Sequence, residues 1–149
     1  MIKVPMRAKA LSLLFAAAAA TLPAVAGGDD KLKKPSLNLR SSPRFAFSPA
    51  RVLFVAELSG GDDIEEFYCP ELEWEWDDGS KSVQEADCDP FVAGQTKIER
   101  RFTSEHEFRR AATYNVKVSL KRLGKSFMNQ SLRLTVRPGV GDPTLETEN

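Results

Sequence analysis

The chain has 149 residues, of which 42% are hydrophobic and 28% are charged, and its 21 lysines and arginines balance 21 aspartates and glutamates. This balance excludes a nucleic-acid binder, which needs a dominant basic face, and a membrane binder that relies on a polybasic segment. Without a leader segment, about 120 residues remain, which is enough for one domain and too few for two.

The first 26 residues have the pattern of a secretory signal peptide. Lys3, Arg7 and Lys9 form a basic head, residues 10–22 are apolar and uncharged, and residues 24–26 read Ala-Val-Ala, a small-x-small cleavage site. The apolar run is shorter than the roughly 20 residues of a membrane span. An uncleaved anchor and a buried helix are the alternatives. We predict cleavage and an exported protein, secreted or periplasmic, with no membrane span afterwards.

The rest of the chain divides into three parts. Residues 27–36 are short, polar and rich in Asp and Lys, which predicts a flexible linker, and residues 139–149 form an acidic tail that we predict to be flexible. Residues 37–138 carry the structured domain. Removal of the three basic leader residues leaves 18 basic against 21 acidic residues, so the mature protein is slightly acidic.

The domain shows the period-two alternation of β-strands and no sustained helical period. Alternating apolar positions are Leu37 and Leu39; Phe45 and Phe47; Val52, Phe54, Ala56 and Leu58; Leu72, Trp74 and Trp76; residues 98–108; Tyr114, Val116, Val118 and Leu120; and Leu132, Leu134 and Val136. Pro43 and Pro49 confine the second of these segments to a sheet edge. About seven short strands with a turn every ten residues predict an antiparallel β-sandwich.

Two motifs are more specific than this alternation. Residues 74–79 read Trp-Glu-Trp-Asp-Asp-Gly, a strand entering a tight turn, and His106-Glu107-Phe108 is followed by Ala-Thr-Tyr-Asn-Val-Lys-Val at 112–118. Together they resemble the PKD domain, an immunoglobulin-like β-sandwich of surface and secreted proteins. The chain departs from that pattern with Trp76 for phenylalanine, Asp77 for glycine, Phe108 for tyrosine and Ala112 for glycine.

The resemblance implies roles for these residues. Alternation turns Trp74, Trp76, Tyr114, Val116 and Val118 toward the sandwich core, and the resemblance also places the tryptophan and tyrosine of the motifs there. It makes His106 a structural histidine, so we predict no catalytic residue and no enzyme. It implies a non-catalytic binding or accessory module that contacts a protein or a surface polysaccharide. A calcium-stabilised structural domain of the cell envelope is the alternative, and a small secreted hydrolase comes third.

The two cysteines are predicted to form a disulfide. If Asp78 and Gly79 are the central residues of a two-residue hairpin, Cys69 lies directly opposite Cys88, within disulfide reach. An exported chain with two cysteines favours such a bond. A redox-active pair would need cationic neighbours, whereas Asp87 and other acids flank these positions. The bond is therefore interpreted as structural.

Two acidic clusters on loops are candidates for a calcium site. Asp62 and Asp63 lie between two strands, and Asp77 and Asp78 lie at a hairpin tip. Hard oxygen ligands on loops suit calcium, and some PKD-like domains bind it at loop ends. Turn formation explains the same residues, because Asp-Gly and Gly-Asp pairs favour turns. No other cofactor is expected.

Charge is segregated along the chain. Residues 57–89 contain thirteen acids and one base, whereas residues 97–137 contain eleven bases and three acids. Outward Glu73 and Glu75 are expected to face outward Lys117 and Lys121 across neighbouring strands, flanked by Arg133, so the charges would neutralise each other within one sheet. The alternative is a bipolar surface for a partner.

One strand shows apolar residues on both of its faces. Leu53 and Val55 alternate with its buried face and so are expected to point outward. They would then belong to a partner surface, together with Lys117, Lys121 and Arg133, or be covered by Phe45, Phe47 or the linker.

Overall fold

A computed structural model describes residues 31–140. The predicted signal peptide, the first residues of the predicted linker and the tail from residue 141 onward lie outside this range. Within it, no helix is long and apolar enough to cross a membrane.

The described chain forms eight strands and a single 3-10 turn, η1, at Glu65–Phe67. The strands are β1 Ser36–Ser42, β2 Phe45–Phe47, β3 Ala50–Ser59, β4 Glu71–Glu75, β5 Lys81–Gln84, β6 Arg101–Phe108, β7 Ala112–Arg122 and β8 Lys125–Arg137. The all-β class is confirmed. The strand count is eight instead of about seven, because an additional strand, β5, follows the Asp-Gly turn. A second difference is that β6 begins at Arg101 instead of residue 98.

The strands form two sheets that enclose one core, an immunoglobulin-like β-sandwich. A three-stranded sheet has the order β1-β3-β6, and a five-stranded sheet has the order β2-β8-β7-β4-β5. All neighbours are antiparallel, as predicted, except β2 and β8, which pair in parallel at this edge. The chain changes sheets after β1, because Pro43 interrupts the segment between β1 and β2.

The core is built by the faces of β3, β4 and β7 that period-two alternation turns inward. The predicted core residues Trp74, Trp76, Tyr114, Val116 and Val118 are all buried. Phe54 of β3 contacts the rings of Trp74 and Trp76 at centroid distances of 6.3 and 5.3 Å, and the two indoles stack on each other at 5.3 Å. Aromatic packing of this kind joins the two sheets.

The alternation of apolar residues does not predict strand β5, because its outward residue is apolar and its inward residues are polar. Val83 is exposed, whereas Ser82 and Gln84 are turned inward and only partly exposed. Both inward polar side chains are hydrogen-bond acceptors. Ser82 Oγ accepts a hydrogen bond from Trp76 Nε1, and Gln84 Oε1 accepts one from Trp74 Nε1. Buried indole N–H groups need such acceptors.

The turn between β4 and β5 also differs from the prediction. Trp76 N–H bonds the carbonyl of Ser80, and three residues, Asp77 to Gly79, form the loop. Glu75 therefore lies opposite Lys81, and the predicted two-residue hairpin is wrong by one residue. The longer loop is possible because Asp77 and Gly79 adopt positive φ angles of 64° and 88°.

Candidate interaction surfaces

The outer face of the five-stranded sheet carries a ladder of matched charges. Lys117 Nζ lies 3.1 Å from Glu75 Oε1, and Lys121 Nζ lies 2.5 Å from Glu73 Oε2. The hydrogen bond from Lys121 holds the pKa of Glu73 below its usual value, and the same bond raises the pKa of Lys121. Lys117 likewise lowers the pKa of Glu75. These contacts favour neutralisation within one sheet over a bipolar partner surface.

This arrangement predicts a modest, salt-sensitive loss of stability for Lys117→Glu. The variant places a carboxylate beside Glu75, so we expect the thermal unfolding midpoint to fall by a few degrees in low salt and to recover partly in high salt. Lys125→Glu is the matched control, because Lys125 lies exposed at the β7–β8 turn and forms no ion pair with a described residue. Equal midpoints for the Lys117 variant and the wild type at both salt concentrations would favour the partner-surface interpretation.

A second surface lies at the edge of the same sheet that strand β2 forms. Phe45 and Phe47 of β2 are 61% and 56% exposed, while Ala46 between them is buried. The register places Phe45 beside Thr135 and Phe47 beside Arg137 of β8. Arg133 and Arg137 project from exposed positions of β8, and neither forms an ion pair with any residue between 31 and 140. We call these four residues, Phe45, Phe47, Arg133 and Arg137, the aromatic-basic strip.

The backbone holds this strip firmly in place. Ser48 N–H bonds the carbonyl of Arg137 at 2.9 Å, directly after β2. The chain beyond β8 passes so close that a Cβ atom on Gly139 would overlap the Ser48 carbonyl oxygen. Only glycine allows this approach without a backbone shift. The two phenylalanines are therefore displayed from a paired strand and not from a free loop.

The predicted surface of five residues does not form one patch. Leu53 and Val55 lie on the outer face of the three-stranded sheet, whereas Lys117, Lys121 and Arg133 lie on the outer face of the other sheet. Val55 is only 8% exposed and Leu53 is half-buried, so this face of β3 is largely covered, which favours the second of the two predicted alternatives. Cross-strand neighbours flank Val55 on both sides, namely Arg40 and Thr103. Neither Phe45 nor Phe47 belongs to that sheet.

His106 lies in a concave depression of about 650 Å³ at one end of the sandwich. Its ring stacks on Trp76 at 4.4 Å, and Nε2 lies 2.7 Å from Asp78 Oδ2. Burial raises the pKa of Asp78, but hydrogen bonds from Ser80 and His106 outweigh this effect and leave the pKa below its usual value. The contact joins β6 of one sheet to the β4–β5 turn of the other.

The same geometry gives His106 no partner for nucleophilic chemistry in the described part of the chain. The Ser80 hydroxyl donates its hydrogen bond to Asp78 Oδ1 and not to the imidazole. Both cysteines are consumed by the Cys69–Cys88 disulfide, which confirms the predicted pairing. A general base needs a nucleophile within hydrogen-bond reach. The observed contacts of His106 are those of a residue that fastens the two sheets.

The candidate calcium ligands lie at opposite ends of the sandwich. Asp78 is next to His106, near the first residue of β3, whereas Asp62 and Asp63 follow the last residue of β3. Asp63 pairs with Arg100 at 2.9 Å and with Lys97 at 3.0 Å. Lys97 and Arg100 hold the pKa of Asp63 below its usual value.

The other two carboxylates of this set accept backbone hydrogen bonds. Asp62 Oδ2 accepts from Lys33 N–H, and Asp77 Oδ2 accepts from Asn115 N–H, each at 2.7 Å. Residues 31–140 contain no group of three or more side chains placed to hold a metal ion. Calcium binding at these loops stays a prediction.

The chain is similar to known proteins only in its fold. No protein-family description matches the chain, and no curated protein matches it. Among solved structures, the PKD domain of an M14-like peptidase from Thermoplasmatales archaeon SCGC AB-540-F20 is similar over 72% of this chain and 99% of that chain, with 15% sequence identity and a TM-score of 0.49. The family assignment therefore stays the resemblance that the two sequence motifs indicate.

The sequence predicts Arg133 as part of an interaction surface but does not place it beside Phe45 and Phe47. It offers these two phenylalanines, or the linker, only as a possible cover for Leu53 and Val55. The signal available was the size pattern Phe-Ala-Phe between two prolines, on a strand already expected at an edge. That pattern indicates a strand but does not show which of its two faces meets the core.

Proposed function

We propose that this chain is an exported, non-catalytic binding or accessory module that contacts a protein or a polysaccharide through the aromatic-basic strip. The observation that carries this proposal is the exposure of Phe45 and Phe47, 61% and 56%, side by side on one face of a paired strand. Soluble domains seldom expose adjacent large apolar side chains without a binding role.

The composition of the strip supports a recognition role. Aromatic residues and arginine are enriched at protein interfaces, where they provide large contact areas and forked hydrogen-bond donors. The flat rings of Phe45 and Phe47 also suit the apolar faces of sugar rings. Arg133 and Arg137 add positive charge, so an acidic protein segment or an acidic polysaccharide is the best complement.

Export is supported by the leader pattern and by the Cys69–Cys88 bond. Disulfides form and persist in oxidising compartments such as the periplasm and the extracellular space. A binding module without catalytic machinery would act in such a compartment by holding its partner in place.

The test replaces both phenylalanines, Phe45→Ser together with Phe47→Ser, in the mature protein. Binding is measured against a panel of acidic and neutral polysaccharides and, by quantitative cross-linking, against envelope proteins of the native host. We expect the double variant to lose at least about tenfold in affinity for the ligand that the wild type binds, because two central aromatic contacts are removed. Arg137→Glu should weaken binding of an acidic ligand in the same way.

Val92→Ser is the matched control, since Val92 is an exposed apolar residue, 46% accessible, on a loop away from the strip. The unfolding midpoints of the wild type and of the three variants must agree, which shows that the fold is retained. Undiminished binding by the folded double variant would contradict the proposal.

A further inference from the structure

Strand β6 is a free sheet edge and the longest edge strand of the described chain. In the sheet order β1-β3-β6, the eight residues of β6 bond to β3 on one side and to no strand of the described chain on the other. The other three edge strands, β1, β5 and β2, have seven, four and three residues. A long free edge is a template for pairing with another strand.

The hydrogen-bond pattern shows which backbone groups face outward. Leu58 N–H bonds the carbonyl of Arg100, so in the antiparallel ladder Arg100 and every second residue after it bond to β3. The intervening residues direct their N–H and C=O groups to the open side. Gln84 Nε2 donates to the Thr103 carbonyl at 3.2 Å, which confirms this assignment. The four outward-bonding residues are Arg101, Thr103, Glu105 and Glu107, and all four are exposed.

We propose that β6 pairs with β6 of a second copy of this chain, antiparallel and centred on Ser104. A two-fold axis at Ser104 places Arg101 opposite Glu107 of the second copy, and Thr103 opposite Glu105. Both opposed pairs consist of outward-bonding residues, so each exchanges two backbone hydrogen bonds. The result is one continuous sheet of six strands, β1-β3-β6 followed by its two-fold copy.

Charge selects this register over its neighbours. The pairing centred on Ser104 creates two Arg101–Glu107 contacts, one on each side of the axis. A shift of two residues in one direction places Glu99 opposite Glu107, and a shift in the other places Glu105 opposite itself and Arg101 opposite Arg109. Directly opposed like charges destabilise strand pairs, whereas opposite charges stabilise them. Of these three registers, only the one centred on Ser104 opposes no like charges.

The inner side of β6 gains contacts in the same register. Phe102 is only partly buried against the core in the single chain. Pairing places its ring opposite His106 of the second copy, and His106 already contacts Trp76 and Phe108. Aromatic cross-strand pairs stabilise sheets, so the pairing extends the aromatic core across the two-fold axis.

In the single chain, two side chains form hydrogen bonds with outward backbone groups in the first half of β6. Gln84 binds the Thr103 carbonyl, and Glu99 Oε1 accepts from the Arg101 N–H at 3.0 Å. Backbone groups of a second copy replace both partners, and such an exchange of one hydrogen bond for another changes the free energy little. The second half of the edge, at Glu105 and Glu107, is open: its outward backbone groups have no partner in residues 31–140.

The test uses charge reversal and mixing in the mature protein, with sedimentation equilibrium to measure dimerisation. Arg101→Glu and Glu107→Arg should each weaken the homodimer by at least about tenfold, because each converts two attractive pairs into repulsive ones. An equimolar mixture of the two variants should restore a dimer of wild-type affinity. In that heterodimer one contact is the native pair, and the other is the same pair with its two charges exchanged.

A backbone variant tests the same interface without altering either partner of the Arg101–Glu107 pair. Glu105→Pro removes an N–H that points to the open side and leaves the β3 ladder intact, so the monomer should keep its unfolding midpoint and lose the dimer. Lys125→Glu, on the other sheet and outside the aromatic-basic strip, is the control that should dimerise normally. A monomeric wild type up to millimolar concentration, or charge-reversed variants that dimerise like the wild type, would overturn the proposal. A dimer lost only with the Phe45 and Phe47 variant would assign self-association to the aromatic-basic strip instead and would also overturn it.

Discussion

Replacing Trp74 with alanine should lower the free energy of unfolding by about 3–5 kcal/mol. Trp74 is fully buried, stacks on Trp76 and contacts Phe54 across the two sheets. Its removal leaves a cavity that β3 and β4 cannot close, because both are fixed in their sheets by neighbouring strands. It also leaves the Gln84 side-chain carbonyl without the indole N–H that it now accepts.

Urea denaturation measures this loss, with Trp76 as the remaining fluorescent reporter. Val83→Ala is the control, since Val83 lies on the adjacent strand β5 but is 53% exposed and should change stability by less than about 0.5 kcal/mol. A loss below about 1 kcal/mol for the tryptophan variant is incompatible with a buried Trp74 and with the strand register described above.

Much of the fold follows from period-two alternation, and the reason is physical. Where large apolar residues alternate with charged ones, as in Leu72 to Trp76 or Tyr114 to Val118, only one face can be buried. The same rule fails for β5, because its inward residues are the polar Ser82 and Gln84. Their role as hydrogen-bond acceptors for two indoles depends on contacts that form only after β4 and β5 pair.

The surfaces were harder to predict than the core. In β3 and β2, residues on both faces are apolar, so alternation cannot assign the outside. Which sheet a short strand joins is decided by tertiary packing: β2 pairs with β8, far away in sequence, and this pairing turns Phe45 and Phe47 to the solvent. The ion pairs of Glu73 and Glu75 were predictable, since they need only neighbouring strands of opposite charge.

The disulfide was predicted correctly from a register that is wrong by one residue. The β4–β5 ladder ends at Leu72 and Gln84, before either cysteine, so no strand pairing places Cys69 opposite Cys88. Both cysteines lie in loops outside this ladder, where their Cα atoms are 6.2 Å apart and Cys69 adopts a positive φ of 51° between η1 and β4. The pairing of the cysteines therefore does not depend on the hairpin register.

Replacing both cysteines, Cys69→Ser with Cys88→Ser, should lower the free energy of unfolding by about 3 kcal/mol. The bond spans a sequence separation of 19 residues that contains β4 and β5, so its loss frees this hairpin in the unfolded chain and raises the entropy of that state. In the folded chain, Tyr68 still bonds the Asp89 carbonyl at 2.9 Å and packs against Phe91. These contacts hold the hairpin base locally, so we expect the fold to persist at reduced stability.

Thiol labelling distinguishes this entropic role from a redox role. Unfolded, non-reduced wild-type protein should show no reactive thiol, and reduction should release two. Reduced wild type and the double serine variant should unfold at the same denaturant midpoint, because both lack only the cross-link. Two labelled cysteines before reduction would contradict the disulfide itself. A double variant as stable as the oxidised protein would instead show that Tyr68, Asp89 and Phe91 alone restrain the hairpin.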